Sequence, residues 1–236
     1  MKNNNIEINQ ENHNQVNQSL KVLVVGATGG TGRAAVEELI HKGHSVTAFS
    51  RTATRLDIAS DRLTCINGDA ADYQSIEKAV IGQDVVIVTL GISENPLSVR
   101  FFGAAQTANN VRSLGTENII QAMQNHGVNR LVVQSSFGVG ETRDLLSCID
   151  RLFLKLILKP QIADTEIQEN FVRNSGLDWV LVQPVHLSDE NSEKPPFMSV
   201  SGQVRAMKVT RKSVAQFLAT AVHNQSYTGK SVAISG

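Results

Sequence analysis

What this sequence lacks narrows it before any motif is read. It has no excess of charge: 22 Lys and Arg stand against 22 Asp and Glu. That balance leaves no basic or acidic footprint for nucleic acid or for an anionic membrane surface. It has only two cysteines, Cys65 and Cys148, a count that fits a reducing compartment and predicts plain core residues rather than paired or catalytic thiols. Its six histidines show no metal-ligand spacing, so no metal is expected. The N-terminus lacks the apolar h-region of a secretory signal. The greasiest stretch, Leu145 to Leu158, is interrupted by Asp150, Arg151 and Lys155 and is too short to span a bilayer. The chain is therefore expected to be cytoplasmic, with no nucleic-acid partner and no membrane.

What is present suits a substantial core, with 41% hydrophobic residues. Residues 1–19 stand apart, rich in Asn and Gln and nearly free of apolar side chains. Such a segment buries too little to offset its ordering entropy and is read as a flexible tail, with a partner-binding arm as the alternative. From Lys21 onward, short apolar runs alternate with helical stretches. Strands are predicted over Val22–Val25, Ser45–Phe49, Leu63–Ile66, Val85–Leu90, Arg130–Gln134, Trp179–Val182 and Ser231–Ile234. Helices are predicted over Ala34–His41, over Tyr73–Ile81 behind an Asp72 N-cap, up to His126, in a pair before Trp179, and over Lys212–His223. The run Val22-Leu23-Val24-Val25 is β-branched and apolar throughout, as a strand buried on both faces should be. Regular alternation predicts an α/β fold, a doubly wound parallel sheet with helices on both faces, in one domain over 20–236. Pro195-Pro196 reads as a surface loop, not a boundary.

The strongest motif is Gly26-Ala27-Thr28-Gly29-Gly30-Thr31-Gly32, between the first strand and the first helix. Glycines there permit a tight turn and let backbone approach a pyrophosphate, while the helix N-terminus supplies unpaired N–H groups and a positive dipole end. This is the Rossmann arrangement, and Gly26, Thr28, Gly29, Gly30 and Thr31 are predicted cofactor contacts. The end of the second strand chooses the cofactor. An NAD site usually carries a carboxylate there for the ribose 2′-OH, whereas this chain has Ser50-Arg51, with Arg55 one turn on and no acid before Asp57. Paired guanidinium groups fit a 2′-phosphate, so NADP(H) is expected. Asp69 and Ala70 after the third strand and Leu90 and Gly91 after the fourth are predicted to line the adenine and the middle of the cofactor. Ser135, Pro184 and Val185, at the carboxyl ends of later strands, complete the predicted contacts.

A carbonyl reductase of this architecture normally combines a serine with a tyrosine and a lysine. Ser135 and Ser136 end the fifth strand, where the serine belongs, and Ser136 is the predicted catalytic residue. The two tyrosines, Tyr73 and Tyr227, do not follow that serine, so the proton-donating phenol is missing. Alcohol/ketone interconversion is disfavoured, and hydride transfer to a delocalised π-system that solvent can protonate is left. His186, on the carboxyl face after the sixth strand, is the second catalytic candidate, with a structural histidine as the alternative. Leu145, Ile149, Leu152, Phe153, Leu156 and Ile157 form an apolar helical face that either packs in the core or, with Phe137, roofs an aromatic substrate.

These residues carry a resemblance. The sequence resembles the atypical short-chain dehydrogenases/reductases, and within them it is similar to the flavin reductase/biliverdin-IXβ reductase group. The likeness runs through nearly everything after Lys21. It includes the glycine motif, Arg51 with Arg55, Gly68-Asp69, Leu90-Gly91, the Asn125–Val128 turn, Ser136, Ser175-Gly176-Leu177 and Pro184 through His186. It implies NADPH-dependent reduction of a planar acceptor, flavin or linear tetrapyrrole (bilin), with Ser136 beside the nicotinamide. Two features depart from it: residues Ser93–Arg112 look longer than the corresponding loop, and Thr165 stands where several relatives carry lysine. The wider family also includes NADP-binding sensors and assembly proteins with little turnover, so the fold alone leaves a non-catalytic role open.

Overall fold

The structure, a computed structural model, describes residues 18–91, 109–146, 159–190 and 195–236. Most of the tail, most of the long segment before Arg112, Cys148, and most of the apolar stretch Leu145–Leu158 lie outside the described residues.

The first strand, β1 (Lys21–Val25), shows why its sequence is apolar throughout. Val22 and Val24 enter one core cluster and Leu23 and Val25 another, all four fully buried. The helix α1 (Gly30–His41) follows, then β2 (Ser45–Ser50), β3 (Leu63–Asn67), α2 (Tyr73–Val80) and β4 (Val85–Val88). After them come α3 (Val111–His126), β5 (Arg130–Gln134), α4 (Lys159–Arg173) and β6 (Asp178–Pro184). The chain closes with β7 (His186–Ser188), β8 (Phe197–Ser199), β9 (Lys208–Thr210), α5 (Arg211–Ala221) and β10 (Lys230–Ser235). The eight-stranded sheet runs β3-β2-β1-β4-β5-β6-β10-β8, and every pair in it is parallel except β10 with β8. It is the expected doubly wound α/β sheet. One face packs under α1 and α5 through Val36, Leu39, Phe217 and Leu218; the other packs under α2, α3 and α4 through Ile76, Ile119, Met123 and Val172. Each such side chain stabilises the fold by roughly 1.5–3 kcal/mol, so both faces of the central strands must be apolar.

Three short strands, β7, β8 and β9, were not anticipated. Three residues are too few to show a period of two, and the sequence between β6 and α5 marks only Pro195-Pro196, as a surface loop. β7 pairs with β9 in a small separate ladder, and β8 forms the antiparallel edge of the main sheet immediately after the two prolines. Helix α1 also starts at Gly30, earlier than the predicted Ala34, because the glycine turn itself supplies the N-cap, Gly29, and the first helical turn. Asp72 caps α2 as expected, accepting from the Gln74 N–H at 3.2 Å.

A buried arginine secures the far end of the sheet. Arg130, at the start of β5, donates from Nη2 to the carbonyls of Ala221 (2.5 Å) and Asn224 (2.8 Å) and from Nη1 to Thr228 Oγ1 (2.7 Å). It thereby satisfies the open carbonyls at the end of α5. No helix among the described residues is long and apolar enough to cross a membrane.

Strand order reverses between β1 and β4, since β2 lies on one side of β1 and β4 on the other. A crevice opens at such a point, at the carboxyl ends of the strands.

Candidate functional site

The crevice is a groove of about 790 Å³. Its floor is the glycine turn. The N–H groups of Gly26 and Ala27 both donate to Phe49 O, at 2.9 and 3.2 Å, and Gly29 N–H donates to Gly26 O at 3.0 Å, folding the chain back on itself. Gly26 has φ +87°, and a Cβ there would stand 2.8 Å from Thr89 O, so both conformation and space demand glycine. A Cβ on Gly32 would collide with Gly26 O, so only glycine lets α1 close on the turn. Thr89 braces the turn from β4's end, donating from Oγ1 to Val25 O at 3.0 Å. Gly29 caps α1 without a side-chain hydrogen bond, and the first turn of α1 holds no acid. The positive end of the helix therefore faces the groove with its N–H groups uncompensated.

Around this floor the structure gathers Gly26, Thr28 and Gly29 from the turn, Arg51 and Arg55 after β2, Asp69 and Ala70 after β3, and Leu90 and Gly91 after β4. Two cross-braces, invisible in the local sequence, hold the rim. Asn67 accepts from Thr54 N–H at 3.0 Å and donates back to Thr54 Oγ1 at 2.9 Å, pinning the turn that carries Arg51 and Arg55 against β3. The buried Asn118 donates to Ala70 O at 2.9 Å, and the absence of a side chain at Gly115 lets α3 press on Leu90 and Ala70. Asn110 and Val111, at the start of α3, complete the wall. Behind Gly91 lies the Arg112 guanidinium. Burial pushes its pKa down, with Asp164 opposing, and its Nη1 has no hydrogen-bond partner among the described residues. The Asp164 carboxylate accepts instead from the backbone N–H groups of Arg112 and Ser113, each at 3.0 Å.

The remaining predicted residues fall outside the groove's lining. Thr31 is buried in α1, and Gly30 lies beneath the side chain of Arg211. The ends of β5 and β6 are tied side by side, with Ser135 N–H on Val182 O at 2.8 Å and Phe137 N–H on Pro184 O at 2.9 Å. This sets Ser135, Ser136, Pro184 and Val185 next to one another. The two serines differ in what they do. Ser135 is buried and its hydroxyl donates to Glu169, which also accepts from Gln183 Nε2 at 2.9 Å and from Arg173 Nη2 at 3.2 Å. Ser136 is half-buried, and among the described residues its hydroxyl makes only a long 3.3 Å bond to Phe137 O, so it keeps capacity for another partner. His186 stands on β7 with an exposed side chain, its backbone N–H on Met207 O at 3.2 Å, rather than in a free loop. Neither tyrosine is close by in the network: Tyr73 donates to Glu77, and the Tyr227 ring packs edge-on against Phe217. Among the described residues no group of three or more His, Cys, Asp or Glu could hold a metal.

The glycine cradle, the open N–H groups and the rim arginines suit a dinucleotide carrying phosphates. Comparison with known proteins agrees at the level of family. A profile of NAD(P)H-binding proteins matches residues 26–225. The 2-alkyl-3-oxoalkanoate reductase of Stenotrophomonas maltophilia is 33% identical over 118 residues, 50% of this chain but only 33% of that protein, so the match spans about a third of that relative's length. Two solved structures share the fold across nearly the whole chain. One is a short-chain dehydrogenase/reductase of Veillonella parvula in complex with NADP, at TM-score 0.73 and 15% identity, covering 92% of this chain and 94% of that one. The other is ChuY, an anaerobilin reductase of Escherichia coli O157:H7, at TM-score 0.70 and 18% identity, covering 91% and 96%.

Proposed function

The chain belongs to the NAD(P)H-binding family, and on that premise we propose that it is an NADPH-dependent reductase of a planar, conjugated acceptor such as a flavin or a linear tetrapyrrole. One observation carries the reading: Arg51 and Arg55 line the same groove as the glycine turn, while among the described contacts both tyrosines are engaged elsewhere than at Ser136. The glycine turn and the α1 N-terminus would hold the pyrophosphate, Asp69 and Ala70 would flank the adenine, and Arg51 with Arg55 would take the 2′-phosphate in charge-assisted hydrogen bonds. When bound, NADPH supplies the hydride. Ser136 orients the acceptor or the nicotinamide through its hydroxyl. It is not assigned as a nucleophile, because among the described residues its hydroxyl bonds to a backbone carbonyl and no base is paired with it. His186 serves as the solvent-facing proton donor or acceptor contact. With no positioned phenol, the rate gain comes chiefly from holding acceptor and cofactor together in near-attack geometry, and the acceptor must be one that water or an exposed group can protonate.

Two further features support this reading. The solved anaerobilin reductase shares the fold, and Ser135, spent on Glu169, leaves Ser136 as the serine with a hydroxyl to offer. The test is a screen of NADPH oxidation across flavins, quinones, bilins and simple secondary ketones. Turnover is expected with a flavin or a bilin and not with the ketones. Robust ketone reduction alone would overturn the proposal, and tight cofactor binding without any turnover would assign the chain a sensing or assembly role instead.

A further inference from the structure

Arg211, the first residue of α5, lies where an isolated cation should not rest. Its side chain crosses directly over Gly30 at the start of α1: a Cβ on Gly30 would stand 2.6 Å from Arg211 Cδ and 2.7 Å from Nε. Gly30 thus leaves a path for this side chain as well as for a ligand. The guanidinium is held beside the positive end of a 12-residue helix, α1, and projects from the positive end of an 11-residue helix, α5. Neither helix has an acid in its first turn. A cation against a helix N-terminus is repelled unless an anion lies between them. Among the described residues the counter-charge is Asp189, 2.8 Å from Nη1, with its side chain 83% exposed. Exposed pairs of this kind contribute little, so the partner is easily exchanged.

We propose that Arg211 is an exchangeable phosphate clamp: it leaves Asp189 and closes over the α1 N-terminus onto the pyrophosphate of the bound dinucleotide. The inference rests on the cofactor reading above and adds to it a residue from the far end of the chain, outside the glycine motif and the 2′-phosphate arginines. Asp189 acts as a placeholder that keeps the guanidinium paired until a phosphate arrives. A phosphate accepts bidentate, charge-assisted bonds from arginine and also satisfies the open N–H groups of α1, which Asp189 does not reach. Binding of the pyrophosphate therefore removes three unfavourable features together: an uncompensated helix end, a cation facing it, and a weak surface pair.

The test compares dissociation constants for NADPH and for adenosine 2′-monophosphate, which keeps the 2′-phosphate end of the cofactor but carries no phosphate at the 5′ position. Arg211→Gln is expected to weaken NADPH about ten- to a hundredfold, the range for loss of charged hydrogen bonds, and to leave adenosine 2′-monophosphate nearly unchanged. Asp189→Asn, which keeps Arg211 but frees it, is expected to tighten NADPH a few-fold. Equal weakening of both ligands by Arg211→Gln, or none of either, would overturn the clamp. A selective loss of flavin mononucleotide relative to riboflavin, with NADPH unaffected, would assign the guanidinium to an acceptor phosphate and likewise overturn it. Should Arg211→Gln fail to fold, Asp189→Asn decides: unchanged or weaker NADPH binding refutes the exchange. If the wild-type chain binds neither ligand, it is the cofactor reading that fails, an outcome distinct from all of these.

Discussion

Glu169 offers the sharpest test of how the ends of β5 and β6 are held. It is 1% exposed on α4 and accepts from Ser135 Oγ, Gln183 Nε2 and Arg173 Nη2. Glu169→Gln keeps the shape and removes the charge. With the amide oxygen turned toward Ser135 and Gln183, both bonds survive but fall from the strength of bonds to an ion, about 1.5–3 kcal/mol, to that of neutral ones, about 0.5–1.5. The new NH2 then faces the Arg173 guanidinium, which keeps Glu141 at 3.1 Å and Ser231 at 2.9 Å but loses its buried acceptor. Taken together, and allowing for non-additivity within one network, the loss is about 2–4 kcal/mol. For a chain of this size that is a drop in Tm of roughly 4–16 °C. Urea denaturation should show a lower midpoint at an unchanged slope, since the surface exposed on unfolding is the same. Because Glu169 does not line the groove, NADPH affinity should change little. A loss below about 0.5 kcal/mol, the usual range for surface substitutions, would refute the claim that this carboxylate organises the two strand ends.

Cofactor choice is expected to follow Arg51: the wild type should bind NADPH better than NADH, and Arg51→Ala should erase about ten- to a hundredfold of that preference. Equal dissociation constants for the two cofactors in the wild type would count against the assignment. Ser136→Ala should slow turnover about tenfold, the effect of one neutral hydrogen bond of roughly 1–1.5 kcal/mol lost from the transition state, in stopped-flow oxidation of bound NADPH; no change would remove Ser136 from the site. Stability should also depend on pH through His44 and His223, whose rings lie 5.0 Å apart with Lys42 nearby. Burial lowers both pKa values, and for His44 the neighbouring His223 and Lys42 lower it further; His44 Nδ1 accepts from Leu20 N–H at 3.2 Å, a bond that protonation would break. The unfolded chain takes up protons below the ordinary imidazole value of about 6.5 while the folded one resists, so stability is full above that pH and falls as pH drops through it. The lowered carboxylates Asp72 and Glu77 act only at lower pH, and an unchanged urea midpoint between pH 7.5 and about 5.5 would contradict the histidine account.

The sequence was most legible where one short segment carries its own reason. The β-branched run of β1, the glycine turn, the Asp72 cap and the arginines after β2 are all local, and each stands close to where its pattern predicts. What stayed hidden depends on contact between distant segments. Nothing in Ser135-Ser136 says which hydroxyl turns inward; that is decided by Glu169, more than thirty residues on. Asn67 reads as an ordinary strand end until Thr54 folds onto it, and Arg211 reads as one more helical surface residue until Gly30 is seen beneath it. The strands β7, β8 and β9 were missed for a different reason. Each gains its identity from its partner in the ladder, since three residues are too few for a pattern.

The antiparallel edge strand β8 bears on how this protein coexists with copies of itself. An open sheet edge invites another chain to add a strand. Here the edge is three residues long, and the two residues before it, Pro195 and Pro196, have no N–H to offer. The guanidinium of Arg205, 4.2 Å over the Phe197 ring, adds a charge at the same border. An incoming strand would find few donors, a pair of ring-locked residues and a cation, so this edge is a poor template for growth of the sheet. Replacing the two prolines by β-branched residues would lengthen that border and make this edge able to recruit a neighbour's strand.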